Sequence, residues 1–158
     1  MRRNFTGDQS QIYCNVAILT ELVRVKVFIS YSRPDEKWAD RLRLALTKRD
    51  VEVWDPASEI VPGENWGLKY GKALENSDAI VVLISPASVK SDWVRHEIQY
   101  ALSSPQFRDR LIPVLVRPTE EIPWMLRKLK VIPATQDIDE TARRIVNALR
   151  KAPVSAEK

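Results

Sequence analysis

The chain has 158 residues, 44% of them hydrophobic and 29% charged, which excludes a disordered, collagen-like or low-complexity chain. Its net charge is +4, but residues 25–149 hold 19 basic and 18 acidic side chains, so most of the excess lies at the chain ends and no nucleic-acid-binding face is indicated. One cysteine, one histidine and four glycines exclude an internal disulfide framework, a Cys/His zinc site and the glycine-rich phosphate loops.

Five short runs that are rich in apolar and β-branched residues predict strands. In chain order they are Val25–Ser30, Val51–Trp54, Ala79–Ser85, Leu111–Val116 and Lys130–Ile132. The third run is apolar from Ala79 to Ile84, which is typical of a strand covered on both faces of a parallel sheet.

Amphipathic segments between these runs predict helices. They are a segment with an apolar stripe through Trp38, Leu42, Ala45 and Leu46, then Glu64–Asn76, Ser91–Leu102, a short or broken helix at Trp124–Leu129, and Ile138–Leu149. The alternation predicts an α/β fold, a flavodoxin-like doubly wound sheet of five parallel strands with helices on both faces. Ligand sites in such sheets form at the carboxyl ends of the strands.

The sequence predicts one folded domain over residues 25–151, preceded by an arm or extension over residues 1–24 and followed by a disordered tail over residues 152–158. No apolar run approaches the ~20 residues that cross a bilayer, and no signal-peptide core follows the first arginines. We therefore expect a cytoplasmic protein that contacts neither membrane nor nucleic acid.

Three segments that follow predicted strands carry a family resemblance. Residues Val27–Ser32 resemble the first box of TIR (Toll/interleukin-1 receptor) domains, and the 55–66 loop, with Pro62–Gly63, resembles their mobile loop after the second strand. Residues Ser91–Glu97 resemble the tryptophan-to-glutamate motif of TIR domains that cleave NAD+. The resemblance is to bacterial members of the family, and it extends from about Val25 to Leu149.

This resemblance implies a TIR domain over residues 25–151 that hydrolyses or cyclises NAD+. The products would be nicotinamide and ADP-ribose or a cyclic ADP-ribose isomer, in anti-phage immune signalling or as an effector. NAD+ would be the substrate, with no separate cofactor and no metal. The family also implies a homo-oligomer in which the 55–66 loop of one copy completes the site of its neighbour. The alternative function is a non-enzymatic scaffold that binds other TIR domains through the same loop.

Glu97 is the residue that the resemblance assigns to catalysis. Trp93 and Glu97 are four residues apart and share one face of a helix. One carboxylate can orient the ribose hydroxyls and stabilise the positive charge that develops on the ribose, because the nicotinamide of NAD+ is already a cationic leaving group. The alternative is a solvated helix carboxylate that is paired with Lys90 or Arg95.

Six further residues are implied to bind the substrate: Tyr31, Ser32, Arg33, Asp55, Trp66 and Trp93. Arg33 could bind a phosphate of NAD+. The alternatives are a turn-forming role for Asp55 and turn hydrogen bonds or solvent contact for Ser32 and Arg33. For the tryptophans they are core packing for Trp93 and either core packing or a loop anchor for Trp66. Outside this set, we expect Ser30 and Ser85 to form hydrogen bonds at strand ends, and His96 to lie on the surface.

A phosphorylatable receiver domain would use the same type of sheet. It would require clustered acidic residues after the first strand and an aspartate at the end of the third, where this chain has Ile84–Pro86. The sequence therefore disfavours phosphorylation at this position.

Overall fold

The computed structural model of the protein describes residues 24–151. The expected arm, except for Arg24, and the expected tail lie outside the described residues. The strands are β1 (Lys26–Ser30), β2 (Glu52–Val53), β3 (Ala79–Ile84), β4 (Leu111–Leu115) and β5 (Ile132–Pro133). All four pairings are parallel and the strand order is β2-β1-β3-β4-β5. This is the order of a flavodoxin-like sheet, so the predicted fold class is confirmed.

Within residues 24–151, five α-helices connect and flank the strands. They are α1 (Glu36–Thr47), α2 (Pro56–Glu59), α3 (Trp66–Glu75), α4 (Asp92–Ser103) and α5 (Ile138–Lys151). At every helix except α1, a short polar side chain before the helix accepts hydrogen bonds from the first free backbone N–H groups. Asn65 caps α3 through Leu68 N at 3.0 Å, and Ser91 caps α4 through Val94 N at 3.3 Å.

Two core layers cover the two faces of the sheet, as the helix pattern predicted. On one face, α1 and α5 pack on Val27, Val81 and Leu83, and on the other, α4 and Leu74 of α3 pack on a layer that includes Phe28 and Ile80. Alternate residues of β3 enter opposite layers, and all six are buried. In the part of the chain that the structure describes, no helix has both the length and the apolar character that crossing a membrane requires.

The structure differs from the predicted elements at several points. The 55–66 loop begins with the short helix α2, because Asp55 accepts a hydrogen bond from Ala57 N and Pro56 suits the first helical position. The helix expected over Trp124–Leu129 is reduced to a 3₁₀ turn at Trp124–Leu126. Trp38 is only partly buried against the core, with the Arg41 guanidinium 5.5 Å from its ring centroid.

Candidate active site

The strand order places a switch point between β1 and β3, because the helices that follow these two strands lie on opposite faces of the sheet. β1 ends at Ser30 and β3 is followed by Ser85, and both serines are fully buried. The Ser30 hydroxyl donates to Glu97, and the Ser85 hydroxyl donates to Asp35. Two buried carboxylates therefore lie at this edge of the sheet.

Glu97 is held on α4 with only 5% of its surface exposed. Its Oε2 accepts the hydrogen bond from Ser30, and its Oε1 accepts one from the hydroxyl of Tyr70 on α3. The alternative pairing of Glu97 with Arg95 is not found, since Arg95 pairs with Asp92 at 3.0 Å. Burial raises the pKa of Glu97, and the hydrogen bonds from Ser30 and Tyr70 oppose part of that rise.

Three aromatic side chains, Trp66, Tyr70 and Trp93, form a cluster over Glu97 that we call the aromatic cover. The ring centroid of Tyr70 lies 4.9 Å from that of Trp66 and 5.2 Å from that of Trp93. The indole Nε1 of Trp93 donates to the Tyr70 hydroxyl at 3.1 Å. Both tryptophans are 47% exposed, so the cover has an outer surface that faces solvent.

Tyr70 is the member of the cover that reaches inward. Its ring also lies against Phe28 and Trp54, at centroid distances of 5.0 and 5.2 Å. Burial and the negative charge of Glu97 raise the pKa of Tyr70, so the hydroxyl keeps its proton and remains a donor.

Asp35 is the second buried carboxylate, and it is 1% exposed. Its Oδ2 accepts hydrogen bonds from Ser85 and, at 2.6 Å, from Ser32, while Oδ1 lies 3.6 Å from the Nε of Arg117. Ser88 extends the network, because its hydroxyl accepts a hydrogen bond from Ser85 N at 2.8 Å. The segment after β1 is thus tied to the end of β3.

The six residues predicted to bind substrate fall into separate environments. Trp66 and Trp93 belong to the aromatic cover, and Tyr31 lines a small cavity of about 20 Å³ together with Trp54 and Tyr70. Asp55 caps α2, which corresponds to the turn-forming alternative, and its carboxylate also pairs with Arg43 at 2.9 Å. Ser32 is buried against Asp35, and Arg33 is exposed.

Sequence reasoning did not identify Tyr70, although it contacts Glu97 directly. A signal for it exists, because Trp66 and Tyr70 repeat on α3 the four-residue spacing of Trp93 and Glu97 on α4. Asp35, which precedes the apolar stripe of the predicted first helix, is buried in a 3₁₀ turn before α1. Ser30 and Ser85 form hydrogen bonds at strand ends, as predicted.

Comparison with known proteins identifies the family. The sequence model of the TIR domain family matches residues 27–152, most of the chain. The chain belongs to the TIR domain family. This TIR domain is 29% identical over 110 residues to Toll-like receptor 6 from Homo sapiens, a match that covers 66% of this chain and 14% of that protein.

A bacterial relative has a name that describes an activity. The 2′ cyclic ADP-D-ribose synthase BtTIR from Bacteroides thetaiotaomicron is 27% identical to the TIR domain over 97 residues, 61% of this chain and 34% of that protein. The TIR domain thus spans about a third or less of the curated relatives that it matches.

Solved structures share the fold of this TIR domain. The TIR domain of the Toll-related receptor TRR-2 from Hydra magnipapillata superposes with a TM-score of 0.61 at 25% identity, covering 78% of this chain and 94% of that one. A metazoan TIR-STING receptor from C. gigas in complex with 2′,3′-cGAMP gives a TM-score of 0.67 at 27% identity, covering 79% and 39%.

Proposed function

We propose that this TIR domain cleaves the bond between nicotinamide and ribose in NAD+, with Glu97 as its catalytic residue. One observation carries the proposal: a buried carboxylate at the switch point of the sheet is bonded to hydroxyls and flanked by aromatic rings. A carboxylate in such low-dielectric surroundings interacts strongly with a nearby positive charge. The similarity to a protein named as a cyclic ADP-ribose synthase supports the same activity.

The reaction requires few groups from the protein. The bond from the ribose C1′ to the nicotinamide nitrogen breaks, its electron pair stays with the nitrogen, and nicotinamide leaves as a neutral molecule. Positive charge then develops on the ribose, and the Glu97 carboxylate stabilises it. Water adds to C1′ and loses a proton, which gives ADP-ribose. If a nucleophile within the same ADP-ribose replaces water, a cyclic isomer forms.

The surrounding residues suggest how NAD+ would be held. Trp66 and Trp93 offer flat aromatic faces for stacking against a ring of the substrate, and Tyr31 extends the site toward the small cavity. Arg33 is an exposed guanidinium that suits the diphosphate. Ser32 and Asp55 would first have to exchange the partners that they have here.

The proposed setting is a homo-oligomer of a cytoplasmic, bacterial-type TIR domain in immune signalling or effector function. The 55–66 loop is the proposed contact between copies, since residues 61–66 are all exposed and Val61 presents an apolar side chain to solvent. Contact there would place a neighbouring copy beside the aromatic cover, which begins at Trp66.

A second candidate function is a non-enzymatic module that binds other TIR domains through the same loop. It is favoured by the similarity to proteins named as Toll-like receptors and by the occupation of both Glu97 oxygens with hydrogen bonds. In this case Glu97 would stabilise the edge of the sheet without meeting a substrate.

Release of nicotinamide from NAD+ separates the two candidates. The wild-type protein and Glu97→Gln should be compared at high protein concentration, with Asp92→Asn as the matched control because Asp92 is an exposed carboxylate on the same helix. We expect release by the wild type and by Asp92→Asn but not by Glu97→Gln. Equal release by all three would disprove the assignment of Glu97, and no release by any would favour the scaffold.

A further inference from the structure

The structure holds Glu97 in an arrangement that leaves little room for a substrate. Each carboxylate oxygen already accepts a hydroxyl hydrogen bond, from Ser30 on one side and from Tyr70 on the other. Trp66 and Trp93 enclose the Tyr70 ring from the solvent side, and Trp93 also bonds its hydroxyl. A ribose hydroxyl that approached from solvent would meet Tyr70 before it met Glu97.

The two partners of Glu97 differ in how firmly the fold holds them. Ser30 is fully buried and ends β1, which pairs with both β2 and β3. Tyr70 belongs to α3, in which Leu74 is the only fully packed residue and Tyr70 and Ala73 are partly buried against the core. An element with little buried surface opens at a lower free-energy cost than the strands of the core. Tyr70 is therefore the partner that can leave.

The sequence of α3 weakens this helix further. Gly67 and Gly71 lie within it, and glycine is a poor helix former. Neither position needs glycine for space, because a Cβ at Gly71 would meet nothing within 4 Å and one at Gly67 only the side chain of Asn65. Close packing therefore does not explain these glycines, whereas an element that must move would benefit from them.

We propose that Tyr70 holds the active site closed, with its hydroxyl on the Glu97 oxygen that the ribose of NAD+ must bind, so that substrate enters only when α3 moves the aromatic cover away. The inference rests on the proposed function for its link to NAD+, but the closed state is defined by Tyr70 and Glu97 alone. In the open state Ser30 keeps its hydrogen bond to Oε2, and Oε1 becomes available to a ribose hydroxyl.

Steady-state kinetics of Tyr70→Phe test this role. The variant keeps the ring contacts and removes only the hydroxyl, so the binding-competent fraction should rise and KM should fall about tenfold, with kcat within about twofold of the wild type. Ser30→Ala also removes one hydrogen bond to Glu97. Because Ser30 keeps this bond in both the closed and the open state, its loss does not open the site, and we expect a lower kcat and no fall in KM. Tyr100→Phe, a tyrosine on α4 that packs on Phe107, is the control and should change neither constant.

A chemical measurement tests the closed state without NAD+ turnover. Glu97 can be labelled with a carbodiimide and an amine near pH 6, and its labelling rate followed by peptide mass spectrometry. We expect Tyr70→Phe to label about ten times faster than the wild type at Glu97 and at the same rate at Asp92, which is exposed in both proteins. Equal melting temperatures of the two proteins establish that the variant is folded.

These outcomes distinguish failure of the inference from failure of the proposed function. Unchanged labelling of Glu97 in folded Tyr70→Phe, or a fall in kcat with unchanged KM, would overturn the closing role of Tyr70. Faster labelling with no nicotinamide release by any variant would support the closed state and reject NAD+ cleavage.

Discussion

Glu97 and Asp35 are two buried carboxylates at the same edge of the sheet, and their surroundings differ. Each accepts two hydroxyl hydrogen bonds. Glu97 accepts from Ser30, at the end of β1, and from Tyr70. Asp35 accepts from Ser32 and Ser85, which follow β1 and β3. Asp35 also lies near a cation, Arg117, whereas among residues 24–151 no ion pair includes Glu97. Their partners differ as well, since Glu97 is bonded to Tyr70 on α3, a helix with one buried residue.

The difference indicates two roles for the same functional group. A buried carboxylate whose hydrogen-bond partners are both buried fixes the backbone around it, and this is the role of Asp35, which joins the segments after β1 and β3. A buried carboxylate with a removable partner is available to a cation that enters the site. This difference supports the proposal that Glu97 is the reactive group and that Asp35 is structural.

The largest effect on stability should come from Asp35→Asn. The substitution weakens two hydrogen bonds to a buried charged group, so we expect a loss of about 2 kcal/mol in the free energy of unfolding, measured by denaturant titration. Arg117→Gln is the matched control. The Arg117 side chain is 52% exposed, so its loss should cost less than about 1 kcal/mol. An Asp35→Asn protein as stable as the wild type would contradict the structural role of Asp35.

The pH dependence of stability should separate Glu97 from an ordinary carboxylate. Because the pKa of Glu97 is raised above its usual value of 4.5, the folded protein binds a proton that the unfolded chain has already released. Its stabilising contribution is complete below pH 4.5 and is lost as the pH rises through the folded pKa. The stability of Glu97→Gln relative to wild type should therefore increase with pH across this window. A difference in stability between Glu97→Gln and wild type that stays constant with pH would contradict the raised pKa of Glu97.

The smallest predicted effect on stability concerns α3, the helix that carries Tyr70, and the loop before it. Gly71→Ala should stabilise the protein by about 0.5–1 kcal/mol, because alanine is the better helix former and the position is open. Gly63→Ala should do the opposite, since Gly63 has a φ of +93° that alanine adopts only under strain. Thermal melts of the two variants provide the measurement, and a loss of stability in Gly71→Ala would show that α3 is packed more tightly than described here.

Much of this arrangement follows from local sequence, and the rest follows from tertiary packing. The all-apolar run of β3 and the caps Asn65 and Ser91 are local features, which is why the sheet and most helices could be predicted. Glu97 was identified by a motif on one helix. Its contact with Tyr70 joins residues 27 positions apart on two helices, and the spacing of Trp66 and Tyr70 indicates a shared helix face without specifying this contact.

The binding residues show the same limit of sequence reasoning. Asp55 precedes a proline and forms a local cap, which its neighbours in sequence indicate. Ser32 faces Asp35 only because the 3₁₀ turn at Arg33–Asp35 brings their side chains together. Their roles toward NAD+ remain predictions, which substitution of each residue and measurement of KM would test.

Chromatographic analysis of NAD+ and its products tests the central claim most directly. Wild type, Glu97→Gln and Asp35→Asn should be incubated with NAD+ at a temperature at which all three are folded. We expect nicotinamide in equal amount with ADP-ribose or a cyclic isomer for wild type and Asp35→Asn, and a rate about 10³-fold lower for Glu97→Gln. A wild-type rate for Glu97→Gln would contradict the assignment of the reactive carboxylate to Glu97.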